Sequence, residues 1–521
     1  MRIKSTHLAF KYYVQIHKLI IIIVKLTKKH IMQKKYLQIT FSILVFFCFS
    51  SISQAQWQQL GADIFGDPAF LYFGRAMNLS PDGKTLAAGS QSDLFVSFVR
   101  LYKEDMGTWQ PLGNDIYADD GDNSDAIALS ADGERVAIGS IRNGETGGQA
   151  NHDGHVRIFD LVGSEWQQVG SDIVGTGGEN AGSAIGLSFD GKTLVVGAHF
   201  NDENGIDAGQ VRVYKEITGN WQQVGGSING DTVLDNFGFA VDINSDGSII
   251  AIGAPSNNNS RGQVKIYQNV NNNWEQMGND ITGTDIDDIF GRSVSINSDG
   301  TIVAIAAIQD IAVSVGYVKI FKYDGSDWQQ VGNSILGTEI NGFFGNSLSL
   351  SANGEIVAIG GSQNQGEQPG SGDVRIYKNS NEVWTQIDQD IDGEVSGDHF
   401  GGTVCLSSDG SRIAVSAFLN DYNGYQTGYV QVYENENIAG ISDFSSLNIS
   451  IYPNPSKGTF YIKNAESFHL KVTGMDGKII YNSMINDNLY EFHMNKNLTS
   501  GMYFIHLQSA TQQFVVKHIV D

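Results

Sequence analysis

Seven tryptophans stand at almost equal intervals along this chain of 521 residues, and the chain contains no others. Successive tryptophans are 52 to 57 residues apart. A residue this rare that recurs at one interval indicates an internal repeat, and a repeat limits the chain to architectures built from many copies of one small unit. The seven are Trp57, Trp109, Trp166, Trp221, Trp274, Trp328 and Trp384.

Each repeat contains four short apolar segments, which we name strands a, b, c and d. In the fourth copy they are 237–243, 249–255, 264–267 and 274–278. An Asp-Gly or Asn-Gly pair lies between a and b in every copy, which is a strong signal for a hairpin turn. In six copies a tryptophan follows the last aromatic residue of strand c by seven positions, which sets the length of the c–d hairpin. The unit is therefore predicted to be a four-stranded antiparallel meander.

The two ends of the repeat array complement each other. Residues 57–61 read as a strand d with no a, b or c before it, whereas the last repeat has a, b and c up to Glu434 but no tryptophan after them. Pairing the two would close a ring and remove two exposed sheet edges, which a linear solenoid would leave open. The sequence predicts an all-β protein in which residues 56–436 form a seven-bladed β-propeller closed by its N-terminal strand.

The N-terminal segment differs from the rest in charge. Residues 1–55 carry nine Lys or Arg and no Asp or Glu, and Lys34-Lys35 precede an apolar run at 39–49. A basic, then apolar, then small-residue pattern is typical of a secretory signal peptide, predicted here at 32–55 with cleavage between Ala55 and Gln56. Residues 1–31 are interpreted as an over-extended start. A lipoprotein anchor at Cys48 is the alternative, although the bulky residues before this cysteine do not favour it.

Removal of residues 1–55 leaves 24 basic and 57 acidic residues, a net charge of −33. Such a surface is a poor partner for nucleic acid and suits a soluble extracellular protein. Only Cys405 remains as a thiol, so no disulfide framework is possible. No membrane span is expected in the mature chain, and a monomer is expected.

In a propeller meander the d–a and b–c connections lie on the same side of the propeller, and we name that side the loop face. The b–c connections are long and varied, and variable loops on a rigid scaffold are where binding is usual. The d–a connections hold most of the patterned acid: Asp119, Asp120, Asp122, Glu179, Asp231, Asp235, Asp285, Asp287, Asp288, Glu339, Glu394 and Asp398. We therefore expect the ligand site on the loop face.

No catalytic residue, cofactor site or metal site is predicted, although three weaker patterns were considered. Calcium is an alternative at Asp242-Ile-Asn244-Ser-Asp246, at Asp285 to Asp288 and at Asp119 to Asp122, where oxygen ligands alternate or cluster. His152 and His155 lie in a Gly-rich loop and are read as solvated, and Cys405 is read as a small core residue. Arg292 and His399 flank strand a near the expected channel and are the first residues to mutate if an activity is found.

Two known repeat families resemble these units. Phe237-Gly238 with Gly253-Ala254-Pro255 resembles the FG-GAP repeat of integrin alpha-subunit propellers, and Phe290-Gly291, Phe344-Gly345 and Phe400-Gly401 match its first half. The c–d hairpin with its Tyr…Trp pair is similar to kelch repeats, more weakly. Both resemblances imply a propeller that binds partners.

The last 76 residues have a different pattern, with short strands and Gly turns typical of a small β-sandwich, after a linker at 437–445. They resemble the type A C-terminal sorting domain of the Bacteroidota type IX secretion system, which implies 446–521 as the sorting domain and the secretion machinery as its partner. The matching positions are Pro453, Asn454, Pro455, Gly458, Gly477, Lys478, Gly501, Tyr503 and Lys517. The resemblance also implies export through the periplasm to the cell surface or medium, after cleavage of the signal peptide.

These observations favour a secreted or cell-surface propeller that acts as a non-enzymatic binding or adhesion module for an extracellular glycan or protein. One alternative is an extracellular propeller enzyme, a polysaccharide lyase or hydrolase. Such an enzyme should break the sevenfold regularity with His, Arg, Tyr and carboxylates near the channel. A structural surface protein is the second alternative.

Overall fold

The structure is a computed structural model, and its described residues all lie between Trp57 and Val520. It describes residues 57–66, 72–91, 97–118, 122–142, 152–309, 315–364, 366, 368–422, 425–435, 438, 450–452, 459–463, 465, 468–474, 479–486, 489–493, 501–508 and 513–520. The predicted signal peptide with Ala55 and Gln56 lies outside these residues. Among the described helices none is long and apolar enough to cross a membrane.

The described chain is all-β, as predicted, with nine antiparallel sheets and one short helical segment at Asn257–Ser260. Seven of the sheets have the same five strands, which come from one repeat each. We number these sheets 1 to 7 by their strand a. The a strands are Met77–Leu79, Ala126–Leu129, Ala184–Leu187, Ala240–Ile243, Phe290–Ile296, Phe344–Leu350 and Phe400–Leu406. The b strands are Thr85–Gly89, Arg135–Ser140, Thr193–Ala198, Ile249–Ala254, Ile302–Ala307, Ile356–Gly361 and Arg412–Ala417.

Strand c pairs with b on one side and with two short strands on the other, whereas the sequence predicted a single strand d. The c strands are Phe98–Asp105, His155–Val162, Gln210–Ile217, Gln263–Val270, Tyr317–Tyr323, Asp373–Ser380 and Tyr429–Glu434. The d strands are Thr108–Pro111, Glu165–Gln168, Asn220–Gln223, Asn273–Gln276, Trp328–Gln330, Val383–Gln386 and, in sheet 7, Gln58–Gln59. The second short strands, d′, are Ile116–Tyr117, Ile173–Val174, Ile228–Asn229, Ile281–Thr282, Ile335–Leu336, Ile391–Asp392 and Ile64–Phe65.

A glycine with positive φ explains the break between d and d′ and also makes room for the next tryptophan. Gly113 has φ of 76°, and a Cβ there would lie 2.8 Å from the indole Nε1 of Trp166 in the next sheet. The indole Nε1–H then donates to the carbonyl just before that glycine, as from Trp166 to Leu112 (2.9 Å) and from Trp328 to Met277 (2.8 Å). Trp109, Trp274 and Trp384 make the same bond, so these five tryptophans join neighbouring sheets.

The N-terminal strand pairs with the last repeat. Gln58 and Gln59 lie opposite Glu434 and Tyr433, so residues separated by the whole repeat array share sheet 7. Trp57 is buried in an apolar cluster with Ile376 and Ile391 of sheet 6. Sheets 7 and 1 are also joined, since Trp109 of sheet 1 donates to the carbonyl of Leu60 (3.0 Å).

The a–b turns of successive sheets are joined by backbone hydrogen bonds. In each of the six bonds a turn amide donates to the carbonyl at the matching position of the next turn, at 2.8 to 3.1 Å. The bonds are Ala131 to Phe189, Phe189 to Ser245, Ser245 to Ser298, Ser298 to Ala352, Ala352 to Ser408 and Ser408 to Pro81. The seventh, from Pro81 to Ala131, cannot form because proline has no amide hydrogen.

The C-terminal segment forms two sheets around one apolar cluster. One sheet contains Ser450–Tyr452, Thr459–Lys463 and Leu489–His493, and the other contains Ile479–Met484, His469–Gly474, Gly501–Gln508 and Gln513–Val520. Phe460 and Ile462 of the first sheet share the cluster with Leu470 and Ile505 of the second. Among the motif positions, Gly501 and Tyr503 lie on one strand, and Lys517 lies opposite Phe504 on the next. Pro453, Asn454, Pro455, Gly458, Gly477 and Lys478 lie outside the described residues.

Candidate functional site

The acids of the d–a connections divide into two groups, and this corrects the expectation that they form one ligand-facing set. Five of the twelve side chains are buried, and four of them occupy matching positions in the repeats. These five are Asp122, Glu179, Asp235, Asp288 and Asp398. They stabilise the loops themselves, so they are not available to a ligand. Asp119 and Asp120 lie outside the described residues.

Asp288 illustrates the structural role. Its carboxylate accepts the backbone amides of Thr284 and Asp285 and the hydroxyl of Tyr317, at 2.7 to 2.8 Å, and the side-chain amide of Gln309 in the b–c connection. Burial alone would raise the pKa of Asp288, but these hydrogen bonds outweigh it and hold the pKa below its usual value. The carboxylate thus ties the d–a connection to the b–c connection of the same sheet. Sequence patterning shows an acid at this position but not which way it points.

One variable position lies two residues after the position that holds the buried phenylalanine of a Phe-Gly pair in five of the seven repeats. The residues there are Arg75, Asp125, Ser183, Phe239, Arg292, Asn346 and Gly402, all different except for the two arginines. Each lies just before strand a of its sheet or among the first three residues of that strand. Variable side chains on a regular scaffold are where binding is usual.

On one side of this set, Arg292 and His199 meet at an aromatic ring. The Arg292 guanidinium lies 4.5 Å from the centre of the Phe239 ring, and His199 contacts the same ring edge-on at 5.3 Å. The Nδ1 atom of His199 is 2.8 Å from the hydroxyl of Ser183. Burial and the nearby Arg292 lower the pKa of His199 to about 4, so the imidazole is neutral at neutral pH.

On the other side, Arg75 repeats the same arrangement. Its guanidinium lies 5.8 Å from the centre of the Phe418 ring, which His399 also contacts edge-on at 5.8 Å. Arg75 and Asp125 are close enough to interact electrostatically, and Gln91 donates to Asp125 at 2.6 Å. Burial raises the pKa of Asp125 despite this hydrogen bond and the nearby positive charge of Arg75.

The two sides belong to one group, since Arg75 and Arg292 also interact. Burial and the positive charge of Arg75 together lower the pKa of Arg292. We name this group the inner cluster, and it consists of Arg75, Asp125, His199, Phe239, Arg292, His399 and Phe418. Sequence reasoning selected only Arg292 and His399. Alignment of the repeats on Phe-Gly, followed by inspection of the next column, would have found Arg75 and Phe239. The second repeat lacks this pair, so Asp125 is found only by alignment on strand a.

The backbone next to the inner cluster is strained. The residue just before the buried phenylalanine has a positive φ in sheets 1, 5, 6 and 7, where it is Tyr72, Ile289, Phe343 or His399, with φ of 41° to 57°. Bulky and β-branched side chains rarely adopt this conformation. Strain of this kind concentrates at functional sites, where the surrounding structure holds it in place.

Exposed apolar side chains stand in the same d–a connections. Val233, Ile286, Ile340 and Val395 occur in four successive connections and are each 51 to 57% exposed. Tyr422 of the last b–c connection is 78% exposed. Single exposed apolar residues are common, but a recurrence on one set of loops is typical of a contact surface.

The other patterns considered for chemistry lie elsewhere. Asn244 and Asp246 accept backbone amides within the a–b turn, while Asp242 accepts the amide of Ile296 in the next sheet (2.8 Å). Calcium binding in this loop stays an untested alternative, and these oxygens already have protein donors. Cys405 lies between sheets 7 and 1, where burial raises the thiol pKa to about 12 and Sγ is 3.5 Å from the Met77 carbonyl.

Two further clusters are held by ion pairs. Among the described residues Asp373, Asp390 and Asp392 are the acids close enough together to hold a cation. Arg375 already pairs with Asp373 (2.7 Å) and Asp390 (3.1 Å) there. His155 is buried 3.4 Å from Asp122 rather than solvated as predicted, and His152 is exposed. The reason is that His155 begins strand c and not a loop.

Comparison with known families identifies the C-terminal segment. A family model described as "Secretion system C-terminal sorting domain" matches residues 450–521. The chain therefore has a type IX secretion sorting domain and is a secreted or cell-surface protein, as predicted, with the secretion machinery as a partner of this domain. No curated protein matches the chain.

The solved structures that match the chain are distant in sequence. A putative 6-phosphogluconolactonase from Bacteroides uniformis is 14% identical over 62% of this chain and 87% of that chain, with a TM-score of 0.45. Another from Bacteroides fragilis is 12% identical over 66% and 97%, with a TM-score of 0.44. PorZ, a surface component of the Porphyromonas gingivalis type IX secretion system, is 13% identical over 88% and 60%, with a TM-score of 0.42.

Two of these neighbours are described as enzymes, which contradicts the prediction of a non-enzymatic protein, and that prediction is withdrawn. At such identities and TM-scores the likenesses assign no activity, ligand or partner to this chain.

Proposed function

We propose that the protein is a closed seven-bladed propeller, residues 56–436, which presents the inner cluster on its loop face to bind an extracellular ligand. The signal peptide at 32–55 directs export through the periplasm. A linker at 437–445 then joins the propeller to the sorting domain at 446–521. The observation that supports binding most is the inner cluster itself, in which Arg75, Asp125, Phe239 and Arg292 from four different repeats come together beside the loops.

Three observations support the ring. The N-terminal strand completes sheet 7, the a–b turns are joined in series from Ala131 to Pro81, and the tryptophan hydrogen bonds include one between sheets 7 and 1. Strand a of each sheet also contacts that of the next, and the last contacts the first. A ring of radially packed meanders leaves only short, protected sheet edges.

Export is tested by altering the sorting domain. Deletion of 450–521 should leave the protein inside the cell envelope, whereas the full chain should reach the surface or the medium. Lys517→Ala tests one motif position, and Lys471→Ala on another strand of the same sheet is its matched control. Fractionation and immunoblotting measure the result, and N-terminal sequencing of exported protein tests cleavage before Gln56. Unchanged surface levels after the deletion would contradict this route.

Binding is tested on the purified chain with an array of glycans and matrix proteins. A ligand retained by the wild type should be lost by Phe239→Ala, which removes the ring between Arg292 and His199. Ile217→Ala is a control on an exposed apolar residue of the c–d hairpin, on the opposite side from the loops. Equal binding by both variants would place the ligand elsewhere.

A second candidate function is turnover of a saccharide at the same cluster. The neutral His199 imidazole, hydrogen-bonded to Ser183 and close to Arg292, has the protonation state that a general base requires at neutral pH. Incubation of the protein with polysaccharides and measurement of new reducing ends tests this. His199→Asn should abolish any activity found.

A further inference from the structure

The two arginines of the inner cluster form no ion pair with an acid of the described residues. Neither the Arg75 nor the Arg292 side chain forms an ion pair or a hydrogen bond with any described residue. The arginines of strand c differ, since Arg100 pairs with Asp115 (2.7 Å), Arg212 with Glu179, and Arg375 with Asp373. In a chain of net charge −24, two unpaired and mutually repelling guanidinium groups are unexpected.

Both guanidinium groups are placed so that their hydrogen-bonding edges remain free. Each lies over a phenylalanine ring, at 4.5 Å for Arg292 on Phe239 and 5.8 Å for Arg75 on Phe418. Stacking uses the flat face of the guanidinium and leaves its N–H groups unused. The free edge of a guanidinium can donate two parallel hydrogen bonds to a carboxylate or a sulfate.

The surroundings limit the ligand to few charges. Asp125 interacts with Arg75, and exposed acids such as Asp231, Asp285 and Glu394 lie on the same loop face. A polyanion that crossed this face would meet these carboxylates and be repelled. A single anionic group on an otherwise uncharged ligand would meet only the two arginines.

The neutral part of the ligand would meet both apolar and polar groups. Phe239 and Phe418 are partly exposed, Phe200 is 40% exposed, and Ser183 and Gln91 supply a hydroxyl and an amide. Ring faces together with hydrogen-bonding groups suit a saccharide, which has apolar C–H faces and hydroxyl edges. Resting on the proposed function, we infer that the inner cluster binds a saccharide unit bearing one carboxylate or one sulfate group, held by Arg75 and Arg292.

The test is titration calorimetry of the purified full chain with glucuronate, glucose 6-sulfate and glucose. We expect binding of glucuronate or glucose 6-sulfate, and the stronger of the two identifies the anionic group. Arg292→Gln and Arg75→Gln should each weaken this binding about tenfold or more, as expected for loss of a charge-assisted hydrogen bond. Lys192→Gln removes the same charge from an exposed a–b turn and should have no effect. Binding should weaken as salt is raised.

Three outcomes would overturn the inference: glucose binding as tightly as the anions, arginine variants binding the anions like wild type, or neither anion binding at millimolar concentration. If the protein instead binds a neutral glycan, and Phe239→Ala abolishes that binding, the proposed function holds but the inference of an anionic ligand is wrong. If Arg292→Gln does not give the wild-type circular dichroism spectrum, the exposed Arg75 still provides the test, because its side chain forms no hydrogen bond or ion pair with a described residue and its one ring contact among them is with Phe418.

Discussion

Replacement of Trp57 and Trp328 by phenylalanine should separate the two contributions of the repeated tryptophans, packing and hydrogen bonding. Both indoles are buried, with exposures of 6% and 7%, so both substitutions remove a similar apolar surface. Trp328 donates to the Met277 carbonyl at 2.8 Å, whereas Trp57 Nε1 has no acceptor among the described residues. The two variants therefore differ mainly in one hydrogen bond.

The expected difference follows from the cost of buried polar groups. Trp328→Phe leaves the Met277 carbonyl without its donor, which costs about 1–3 kcal/mol. Trp57→Phe removes a buried donor that had no partner and should recover a similar desolvation penalty. With the packing loss common to both, Trp328→Phe should be the less stable variant by about 2 kcal/mol or more.

Urea unfolding followed by far-ultraviolet circular dichroism measures this difference without using tryptophan fluorescence, which the substitutions change. The urea concentrations at the unfolding midpoints of the two variants are compared, with one m value fitted to both curves. Equal midpoints, or a lower midpoint for Trp57→Phe, would refute the assignment of the hydrogen bonds. In that case packing alone would account for the recurrence of tryptophan.

Two other predictions concern the loop face. Asp288→Ala should destabilise the protein by about 2–4 kcal/mol, because two backbone amides and the Tyr317 hydroxyl lose their acceptor. As a control, Asp285→Ala at an exposed position should change stability by less than about 0.5 kcal/mol. Equal thermal unfolding temperatures for the two variants would contradict the structural role of Asp288. The pKa of His199 is about 4 in the folded protein, against an ordinary value of 6.5. The neutral imidazole therefore contributes its full share to the free energy of unfolding above pH 6.5, and this contribution is lost as pH falls towards 4. Between pH 7 and pH 4.5 the wild type should therefore lose about 2–3 kcal/mol more than His199→Phe does, as measured by urea unfolding, and parallel pH curves would contradict this.

Local patterns in the sequence predicted most of the scaffold, because each of them depends on one residue type. The Asp-Gly pairs stand in the a–b turns, and the tryptophans stand on strand d. The division of strand d was missed because it follows from a positive φ at residues such as Gly113, which the sequence does not distinguish from any other loop glycine. The hydrogen bond from Trp328 to the preceding sheet also required the packing of the sheets.

The candidate site was harder to predict, for two physical reasons. Acids such as Asp288 look like surface ligands in the sequence, but a turn with unpaired amides requires an acceptor and draws the carboxylate inward. The inner cluster contains only single residues from distant repeats, and Arg75 meets Phe418 only once the first and last sheets are neighbours. No local motif can indicate such a contact.

In the proposed ring, the missing bond at Pro81 leaves one weak junction in the series of turns, between sheets 1 and 2. This junction is not where the chain ends meet, since the N-terminal strand lies in sheet 7. The polypeptide itself continues across the weak junction, from strand d of sheet 1 to strand a of sheet 2, whereas no covalent bond spans the pairing of Gln58 with Glu434. A ring that opens between sheets 1 and 2 thus behaves like a tethered hinge. It can close again without a search for its partner, and the ends of the chain need never separate.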